Sequence, residues 1–341
     1  MISTPLNHPI YIKMKKILNK LFEQQRLSKA EAKEVLIQIA NEKYNASQMA
    51  SFLTVFMMRP IAVDELSGFR EALLELALKI DLSEFNTIDL CGTGGDGKNT
   101  FNISTLTSFI VAGTGAKVAK HGNYGVSSVS GSSNMLEYLG YSFTNKEDVL
   151  KTQIEKANIC FLHAPLFHPA MKAVGPVRKE LGLKTFFNML GPLVNPSNPQ
   201  NQLVGVFNME VARIYNYLLQ ETSKNYGIIY SLGGYDEISL TSPFKLFTRE
   251  NEQIISPEEL GLRTLKQSEI YGGKSIKEAA KIFVSILDGK GTVAQNSTVL
   301  ANAAFALKLM DKTKTFEVAY DEAKSSLLGL KAKECLKKLV N

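Results

Sequence analysis

The sequence contains few cysteines and no long apolar run, and each shortage excludes a class of protein. Its three cysteines, Cys91, Cys160 and Cys335, are far apart and lack Cys-x-x-Cys spacing, so neither a disulfide framework nor a zinc site is expected. A membrane-spanning helix needs roughly 18 consecutive apolar residues, and no such stretch is present. The opening "MISTPLNHPIYIKMKK" lacks the apolar core of a secretory signal. We therefore expect a soluble, cytoplasmic protein.

The chain is long enough for about two domains, and its charge suits an anionic ligand. It has 341 residues and a net charge of +6, with 45% hydrophobic residues, enough for a sizeable core. Most lysines fall on predicted helix surfaces, and the dense "LKAKECLKKLV" is typical of the solvated face of a last helix. Because no basic segment is interleaved with aromatic residues, a nucleic-acid partner is not indicated.

The first part of the chain, residues 1–82, is predicted to form a small all-helical domain. Ser28 followed by Glu31, and Asn45 followed by Gln48, have the spacing of capping boxes at helix starts. Each pair precedes apolar residues at helical spacing, and a third helical pattern, "VDELSGFREALLELALKI", follows.

The rest of the chain, residues 83–341, alternates short β-type runs with helices, which predicts an α/β domain with a mainly parallel central sheet. The β-type runs are "TIDLC", "AKVAK", "NICFLH", "QLVGVF" and "YGIIYSL". "FKLFTRENEQIISPEEL" is typical of antiparallel strands. Residues 169–200 interrupt the series, and their prolines and glycines predict turns around short helices. This segment is expected either to join the helical domain or to line the cleft between the domains.

The segment "IDLCGTGGDGKNTFNIST" carries a glycine loop between a predicted strand and helix. Gly92, Gly94 and Gly97 have the spacing of the dinucleotide fingerprint, while Gly92, Gly97 and Lys98 make up most of a P-loop. A P-loop needs Ser or Thr after its lysine to bind magnesium, and Asn99 stands there. The P-loop interpretation is therefore disfavoured.

A dinucleotide site is disfavoured by the next predicted strand. Such a site needs an acidic residue roughly 20 positions after the glycines, but this strand ends in Lys120 and His121. A cation there favours a second phosphate group. Asn102, Ser104 and Thr105 add polar donors at the start of the helix, where capping alone would require only one of them. We favour a phosphate site over a purely structural turn.

A second loop, "KHGNYGVSSVSGSSN", also lies between a predicted strand and a helix. It offers the amide of Asn123 and the hydroxyls of Ser127, Ser128, Ser130 and Ser132. A flexible serine-glycine linker is the alternative, but the placement after a β-run argues against it. Two such loops in succession indicate a ligand with more than one phosphate.

Two further constellations suit a metal ion and a carboxylate. Asp236 and Glu237 follow a strand and a glycine turn, and adjacent carboxylates there are hard oxygen ligands for magnesium. A solvated acidic pair is the alternative, which the two phosphate loops make less attractive. His168 and Arg178 are ten residues apart across a predicted proline turn. A guanidinium suits bidentate capture of a carboxylate, although an isolated arginine is more often a surface residue.

The ordered motifs "GTGGDG", "NIST", "KHGN", "HPAMK", "PVRKELG", "FNMLGPLVNP" and "DEISLT" resemble those of the anthranilate phosphoribosyltransferase family over nearly the whole chain. The resemblance implies a pentosyltransferase of tryptophan biosynthesis that transfers the 5-phosphoribosyl group from phosphoribosyl pyrophosphate to the amine of anthranilate, releasing pyrophosphate. It also implies a homodimer that uses two Mg²⁺ ions, with its site between the helical and α/β domains.

The matching motifs also imply ligand contacts. For phosphoribosyl pyrophosphate these are Gly92, Thr93, Gly94, Gly95, Asp96, Thr100, Asn102, Ser104, Thr105, Lys120 and Ser132. For anthranilate they are Gly92, His121, Asn123, His168 and Arg178, with Arg178 facing the carboxylate. For the metal ions they are Ser104, Asp236 and Glu237. No acid or base is assigned, because an aromatic amine is already neutral at pH 7.

The chain departs from the family pattern in the second loop. Tyr124 stands where the family usually has arginine after "KHGN", Val129 where a lysine is common, and Asn134 where the family has the aspartate of "GSAD". Two cations and one acid are lost together. The changes either compensate each other electrostatically or alter how the loop closes.

Two rival functions are a pyrimidine nucleoside phosphorylase of the same fold and a non-catalytic relative that binds nucleic acid. The combination of "DEISL", "NIST" and "HPAMK" favours the transferase over the binding protein.

Overall fold

The computed structural model describes residues 9–125 and 129–341, without the side chains of residues 9–13. Its α-helices are α1 (Pro9–Phe22), α2 (Lys29–Ala40), α3 (Ala46–Met58), α4 (Val63–Leu76), α5 (Ile103–Gly113), α6 (Ser132–Tyr138), α7 (Glu147–Ala157), α8 (Ala164–Phe167), α9 (Ala170–Leu181), α10 (Phe187–Leu190), α11 (Met209–Gln220), α12 (Ile276–Leu287), α13 (Val293–Met310), α14 (Phe316–Leu328) and α15 (Lys331–Val340). Its strands are β1 (Thr87–Gly92), β2 (Lys117–Gly122), β3 (Ile159–His163), β4 (Asn201–Gly205), β5 (Asn225–Ser231), β6 (Phe244–Thr248) and β7 (Glu252–Ile255).

Some sequence predictions fall on residues outside these ranges. Ser127 and Ser128 of the second loop lie outside the described residues, as do residues 1–8 of the opening stretch. Within the described part of the chain, no helix is both long and apolar enough to cross a membrane.

The chain divides into two compact units. The helical unit comprises Met1–Lys79 and Pro165–Pro196, and the α/β unit comprises Ile80–Ala164 and Ser197–Asn341. The helical unit is therefore built from two separate stretches of sequence.

The predicted capping boxes of the helical unit are confirmed. Ser28 Oγ accepts the backbone N–H of Glu31 at 3.2 Å, and the Glu31 carboxylate accepts the N–H of Ser28 at 2.8 Å. Asn45 and Gln48 make the same reciprocal pair at the start of α3. Both starts satisfy amide groups that a helix leaves without internal partners, which is why local sequence was sufficient to find them.

A cluster of phenylalanine rings joins the two stretches of the helical unit. Phe52, Phe56 and Phe69 come from α3 and α4, while Phe186 and Phe187 come from the second stretch. The rings of Phe69 and Phe186 are stacked with centroids 4.5 Å apart, and Phe52 and Phe56 meet Phe186 edge-on. This apolar contact holds the second stretch on the first.

Residues 169–200 contain the predicted turns and short helices together with one longer helix. Helix α9 is twelve residues long and contains Pro176 in its interior. Proline there removes one backbone hydrogen bond and crowds the preceding turn. Burial of Val174 and Val177, together with packing on α2 and α3, offsets that cost. The predicted proline turn around this residue is consequently absent.

The α/β unit contains a seven-stranded sheet in the order β3-β2-β1-β4-β5-β6-β7. The first five strands in that order are parallel, and β6 and β7 add an antiparallel edge. This architecture, with the helical N-terminal part, confirms the predicted α/β fold class. The strand order reverses between β1 and β4, and open α/β sheets bind their ligands in the crevice at such a switch point.

A buried ion pair connects the loops of the helical unit. The Glu65 carboxylate has no exposed surface and accepts both terminal nitrogens of Arg59, at 2.6 and 2.9 Å. It also accepts the backbone N–H groups of Leu27 and Ala62, each at 2.9 Å. Burial by itself would raise the pKa of Glu65, but the Arg59 and backbone hydrogen bonds outweigh it and lower that pKa.

We predict that Arg59→Ala lowers the free energy of unfolding by about 3–5 kcal/mol, because it leaves a buried carboxylate without its cation. Urea unfolding at pH 7 measures the loss, with the exposed Arg26→Ala as the control. A carboxyl group with a lowered pKa stabilises the fold above its ordinary pKa of 4.5, and that stability is lost as pH falls through the lowered value. The difference between wild type and variant should therefore narrow in acid, and equal stability at pH 7 would contradict the assignment.

Candidate active site

The candidate site lies where β1 and β4 end side by side. Gly92 and Gly205 are paired in the sheet, and the segment that follows β5 crosses both of them. A Cβ atom on Gly92 would lie 2.2 Å from Asp236 Oδ2, and one on Gly205 would lie 1.4 Å from the Asp236 carbonyl oxygen. Only glycine at both positions lets the acidic segment cross the edge of the sheet this closely.

The glycine loop is a defined turn that adopts left-handed backbone conformations. Gly94, Gly95 and Gly97 have φ angles of 65°, 75° and 71°. The Gly94 N–H donates to Asp236 Oδ2 at 2.6 Å, and the Thr93 N–H donates to the Gly205 carbonyl at 2.9 Å. Successive glycines of this kind point backbone N–H groups to one side, which is the geometry of an anion-binding turn.

Helix α5 starts on a carboxylate supplied from elsewhere in the chain. Glu237 Oε1 accepts the backbone N–H of Ser104 at 2.9 Å. Asn102 makes no side-chain capping bond and instead donates to the Ser130 carbonyl at 2.9 Å, so capping, the structural alternative for this residue, is not its role. Thr105 is buried. An acidic group at a helix N-terminus is favourable, so Glu237 takes the capping position.

The two acidic side chains are strongly perturbed. Burial and then the nearby charge of Asp96 raise the pKa of Asp236 to about 7, although the Gly94 N–H opposes the shift. Burial and then the charge of Asp236 raise the pKa of Glu237 well above its ordinary value, opposed by the Ser104 N–H and by Lys120. Paired carboxylates in a dry environment repel each other, so a cation placed between them would be strongly stabilising.

The three residues implied as metal ligands lie together. Ser104, Asp236 and Glu237 line a cavity of about 20 Å³, which is room for roughly one water molecule. Across residues 9–125 and 129–341, no group of three or more His, Cys, Asp or Glu side chains is arranged to hold a metal ion. Two carboxylates are nevertheless enough for a cation such as Mg²⁺, which commonly takes one or two protein carboxylates and completes its shell with water and phosphate oxygens.

Lys120, on the neighbouring strand β2, partly balances the charge of Glu237. Its side chain is only 2% exposed, and its ammonium donates to the Leu90 carbonyl at 2.6 Å. Burial lowers the pKa of Lys120, while Cys91, Asp89 and Glu237 oppose the shift. The ammonium group of Lys120, which the sequence analysis assigned to the start of the second loop, is thus directed into the interior. The neighbouring His121 is buried too, and its backbone N–H donates to Asp89 Oδ1 at 3.0 Å.

The remainder of the first loop surrounds these groups. Asp96 Oδ1 accepts the backbone N–H of Lys98 at 2.9 Å, and Thr100 forms an isolated bridge with Tyr271. Asn99, which argued against a P-loop, donates its side-chain amide to the Gly273 carbonyl at 2.7 Å. The far end of the loop is therefore fixed to the segment that precedes α12.

The described part of the second loop is shaped by Asn134. Its Oδ1 accepts the backbone N–H groups of Gly125 at 2.9 Å and Gly131 at 3.0 Å. Ser132 begins α6, and its hydroxyl donates to the Asn123 carbonyl at 3.4 Å. Asn123 and Ser132, both implied as ligand contacts, are thus neighbours.

The other departures from the family pattern lie on the surface of this loop. Tyr124 is 39% exposed, and its hydroxyl donates to Glu137 Oε1 at 3.2 Å. Its ring meets the His163 ring edge-on with centroids 5.0 Å apart. Val129 is also exposed. Tyr124 therefore ties the loop to α6 and to the end of β3.

His168 and Arg178 belong to the helical unit. His168 is buried immediately before α9, and Arg178 lies in that helix, with the turn at Pro169 between them. The Arg178 guanidinium is 3.4 Å from Asn188 Oδ1 and 5.2 Å from the centre of the Phe187 ring. Burial lowers the pKa of Arg178, and among the described residues no carboxylate pairs with it. This environment suits an incoming carboxylate.

Sequence reasoning missed the residue that holds the acidic segment in place. Asn302 on α13 donates its amide to the Ile238 carbonyl at 2.8 Å and accepts the Ile238 N–H at 3.1 Å. Ser231 Oγ donates to the Glu237 carbonyl at 2.5 Å. The available signal was an asparagine inside the otherwise apolar "LANAAFAL", since a buried amide needs partners.

The comparisons with known proteins agree with this geometry. Residues 84–332 match the profile described as "Glycosyl transferase family, a/b domain", and residues 15–77 match that of "Glycosyl transferase family, helical bundle domain". The chain belongs to this family. A family member from Flavobacterium johnsoniae, called anthranilate phosphoribosyltransferase, is 62% identical over 326 residues, which cover 96% of this chain and 98% of the relative. The resemblance inferred from the motifs is thereby confirmed.

Solved structures of the family share the fold over almost the whole chain. Anthranilate phosphoribosyltransferase from Thermus thermophilus is 30% identical with a TM-score of 0.88, covering 95% of this chain and 98% of that one. The Saccharomyces cerevisiae enzyme, solved in complex with PRPP and Mg, is 25% identical with a TM-score of 0.90, covering 98% of each chain.

We predict that Asp236→Asn raises the thermal stability of the metal-free protein at about pH 8. The amide oxygen still accepts the Gly94 N–H, and the substitution removes the buried charge. Because the pKa of Asp236 is raised, its contribution to stability is lost as pH rises from its ordinary pKa of 3.8 to about 7. The gain should therefore be smaller near pH 5.

Circular dichroism melting in EDTA at both pH values measures this gain. Asp321→Asn is the control, because Asp321 is an exposed acid in a second Tyr-Asp-Glu triplet. Equal melting temperatures for wild type and Asp236→Asn at pH 8 would contradict the prediction, because they would show that the charge of Asp236 does not destabilise the metal-free protein.

Proposed function

We propose that the protein catalyses transfer of the 5-phosphoribosyl group from phosphoribosyl pyrophosphate to the amine of anthranilate, with release of pyrophosphate. The observation that carries this proposal is the meeting of the buried Asp236 and Glu237 pair with an anion-binding glycine loop at the switch point of the sheet. A sequence relative 62% identical has the same activity in its name.

The α/β unit supplies the donor site in this proposal. The glycine loop and the α5 terminus place backbone N–H groups, hydroxyls and a helix dipole beside the phosphates. The proposed donor contacts are Gly92, Thr93, Gly94, Gly95, Asp96, Thr100, Asn102, Ser104, Thr105, Lys120 and Ser132. The proposed domains are residues 1–82, joined by part of 169–200, and residues 83–341.

Mg²⁺ fits the acidic pair, and we propose two ions held by Ser104, Asp236 and Glu237. The raised carboxyl pKa values are the reason for placing a cation here, since it would relieve both the repulsion and the burial cost, and the number of ions is the one that the family resemblance implies. When bound, it would supply positive charge against the charge that develops on the departing pyrophosphate. This fit agrees with the Mg found with PRPP in the yeast structure.

The chain's own residues mainly position the reactants. The neutral aromatic amine attacks C1 of the ribose as the bond from C1 to the pyrophosphate oxygen breaks. The nitrogen of the new C–N bond then carries a surplus proton, which it loses to water. No acid or base residue is required for this step. Orientation and stabilisation of the leaving group by loop amides then provide most of the rate enhancement.

For the acceptor we propose Arg178 as the partner of the anthranilate carboxylate. A half-buried guanidinium with no described carboxylate partner offers a charge-assisted, bidentate hydrogen bond. Gly92, His121, Asn123 and His168 are the other proposed contacts. We further propose a cytoplasmic homodimer without membrane or nucleic-acid partners.

The activity is tested by the loss of anthranilate fluorescence in the presence of phosphoribosyl pyrophosphate and Mg²⁺. We predict that the double variant Asp236→Asn, Glu237→Gln lowers Mg²⁺-dependent turnover by roughly two orders of magnitude, because charge stabilisation worth several kcal/mol is lost. The matched control is Asp321→Asn, Glu322→Gln on α14, a pair with the same Tyr-Asp-Glu context in which Asp321 is exposed and Glu322 pairs with Lys314. No consumption by the wild type would overturn the function, and unchanged Mg²⁺ dependence in the first variant would overturn the metal site alone.

We predict that Arg178→Ala raises the KM for anthranilate by roughly 10-fold to 100-fold and leaves the KM for phosphoribosyl pyrophosphate near wild type. The expected loss corresponds to one charge-assisted hydrogen bond of about 1.5–3 kcal/mol. Steady-state kinetics with each substrate varied in turn gives both constants. Lys179→Ala, the exposed neighbour on the same helix, is the control, and an equal rise in both KM values would argue against a specific carboxylate contact.

A further inference from the structure

The α/β unit contains a pocket of about 610 Å³ beside its antiparallel edge, and none of the proposed substrate contacts lines it. It lies among β4, β5, the β6–β7 hairpin, the second half of α13 and the start of α14. Its lining includes Leu246, Gln253, Phe305, Lys308 and Leu309. Pockets that bind small molecules typically measure about 300–1,000 Å³, so this one has the size of a ligand site.

The sheet register explains the pocket's apolar floor. Leu203 pairs with Gly227, Gly227 with Thr248, and Leu246 with Gln253. Directly paired residues point their side chains to the same face of a sheet, so these strands turn one common face towards the pocket. Phe305 and Leu309 cover the opposite wall from α13.

Two lysines and two glutamates line the pocket, and one lysine is neutralised by one glutamate. Lys312 forms an ion pair with Glu250 across the opening. Glu259 accepts the backbone N–H and the hydroxyl of Ser256, at 2.6 and 3.0 Å. These hydrogen bonds direct the Glu259 carboxylate to Ser256 but leave its charge in place, and in the described part of the chain it forms no ion pair with Lys308.

Lys308 is the cation that remains. It is half-buried, and its ammonium lies 5.9 Å from the centre of the Phe305 ring. It makes no ion pair within the described part of the chain, although its charge reaches Glu317 on α14. A lysine that is half-withdrawn from water beside an aromatic wall would gain from an anion placed next to it.

We propose that this pocket binds a small apolar molecule that carries a single anionic group. Its apolar body would lie against Leu246, Phe305 and Leu309, and its anion would lie beside Lys308. Contact with these side chains removes apolar surface of both partners from water, and the single cation fixes the orientation of the ligand.

The pocket and the proposed active site share a helix but no proposed ligand contact. Asn302, which holds Ile238 next to the acidic pair, lies one turn before Phe305 on α13. Substrates should therefore leave a ligand of this pocket in place, which separates the two sites experimentally.

The probe is 8-anilinonaphthalene-1-sulfonate, an apolar aromatic anion whose fluorescence rises on transfer from water. We predict saturable binding to the wild-type protein and at least about 10-fold weaker binding to Lys308→Glu, equal to about 1.4 kcal/mol. Lys281→Glu, an exposed lysine on α12, makes the same charge change away from the pocket and should bind as wild type does.

A second variant tests the apolar part without altering charge. Gln253 is exposed on the edge strand and stands opposite Leu246, so Gln253→Trp should fill the pocket and abolish binding. Gln25→Trp makes the same substitution at an exposed position of the helical unit, away from the pocket, and should leave binding intact. Transferase assays on all variants confirm that each is folded.

Three results would overturn the proposal. The first is the absence of saturable binding of the probe to the wild-type protein. The second is an affinity of Lys308→Glu and Gln253→Trp for the probe equal to that of the wild type. The third is displacement of the probe by phosphoribosyl pyrophosphate with Mg²⁺ or by anthranilate. The last result would place the probe in the active site. It would leave the proposed transferase function untouched.

Discussion

The close crossing of Asp236 over the ends of β1 and β4 is the constraint on which the rest of the site depends. Gly92 and Gly205 must lack side chains because the acidic segment occupies their Cβ positions. The crossing brings Asp236 to the Gly94 N–H and Glu237 to the Ser104 N–H, so one dipeptide organises both the glycine loop and the start of α5. The site is therefore a single hydrogen-bonded unit.

This arrangement is electrostatically unfavourable in the absence of a cation, because it buries like charges close together. Two adjacent carboxylates are buried with a third, Asp96, close by, and their pKa values rise accordingly. The N–H groups of Gly94 and Ser104 and the ammonium of Lys120 offset only part of that cost. Proteins commonly retain such strain where a ligand relieves it. A magnesium pyrophosphate group would supply the charges required, because Asp236 and Glu237 would hold the metal and the loop amides would donate to the phosphates.

The fold was predictable from sequence wherever the signal is local. The capping boxes at Ser28 and Asn45 and the alternating strands needed only neighbouring residues. What the sequence could not show depends on contacts between distant positions. Glu237 caps a helix that begins more than 130 positions earlier, and Asn302 fixes Ile238 from another helix. The turn predicted at Pro176 is absent, because the tertiary packing of α9 outweighs the tendency of proline to end a helix.

The glycine spacing shared with nucleotide-binding loops reflects a backbone requirement and does not specify a ligand. A left-handed backbone at Gly94, Gly95 and Gly97 forms a turn whose N–H groups can bind an anion, as the Gly94 N–H binds the Asp236 carboxylate. In a P-loop the neighbouring lysine and hydroxyl complete the site, whereas here Lys98 lies over the Tyr235 ring and Asn99 is bonded to the Gly273 carbonyl. The acids that replace them arrive from beyond β5. The chemistry of such a loop is thus decided by the segment that crosses it.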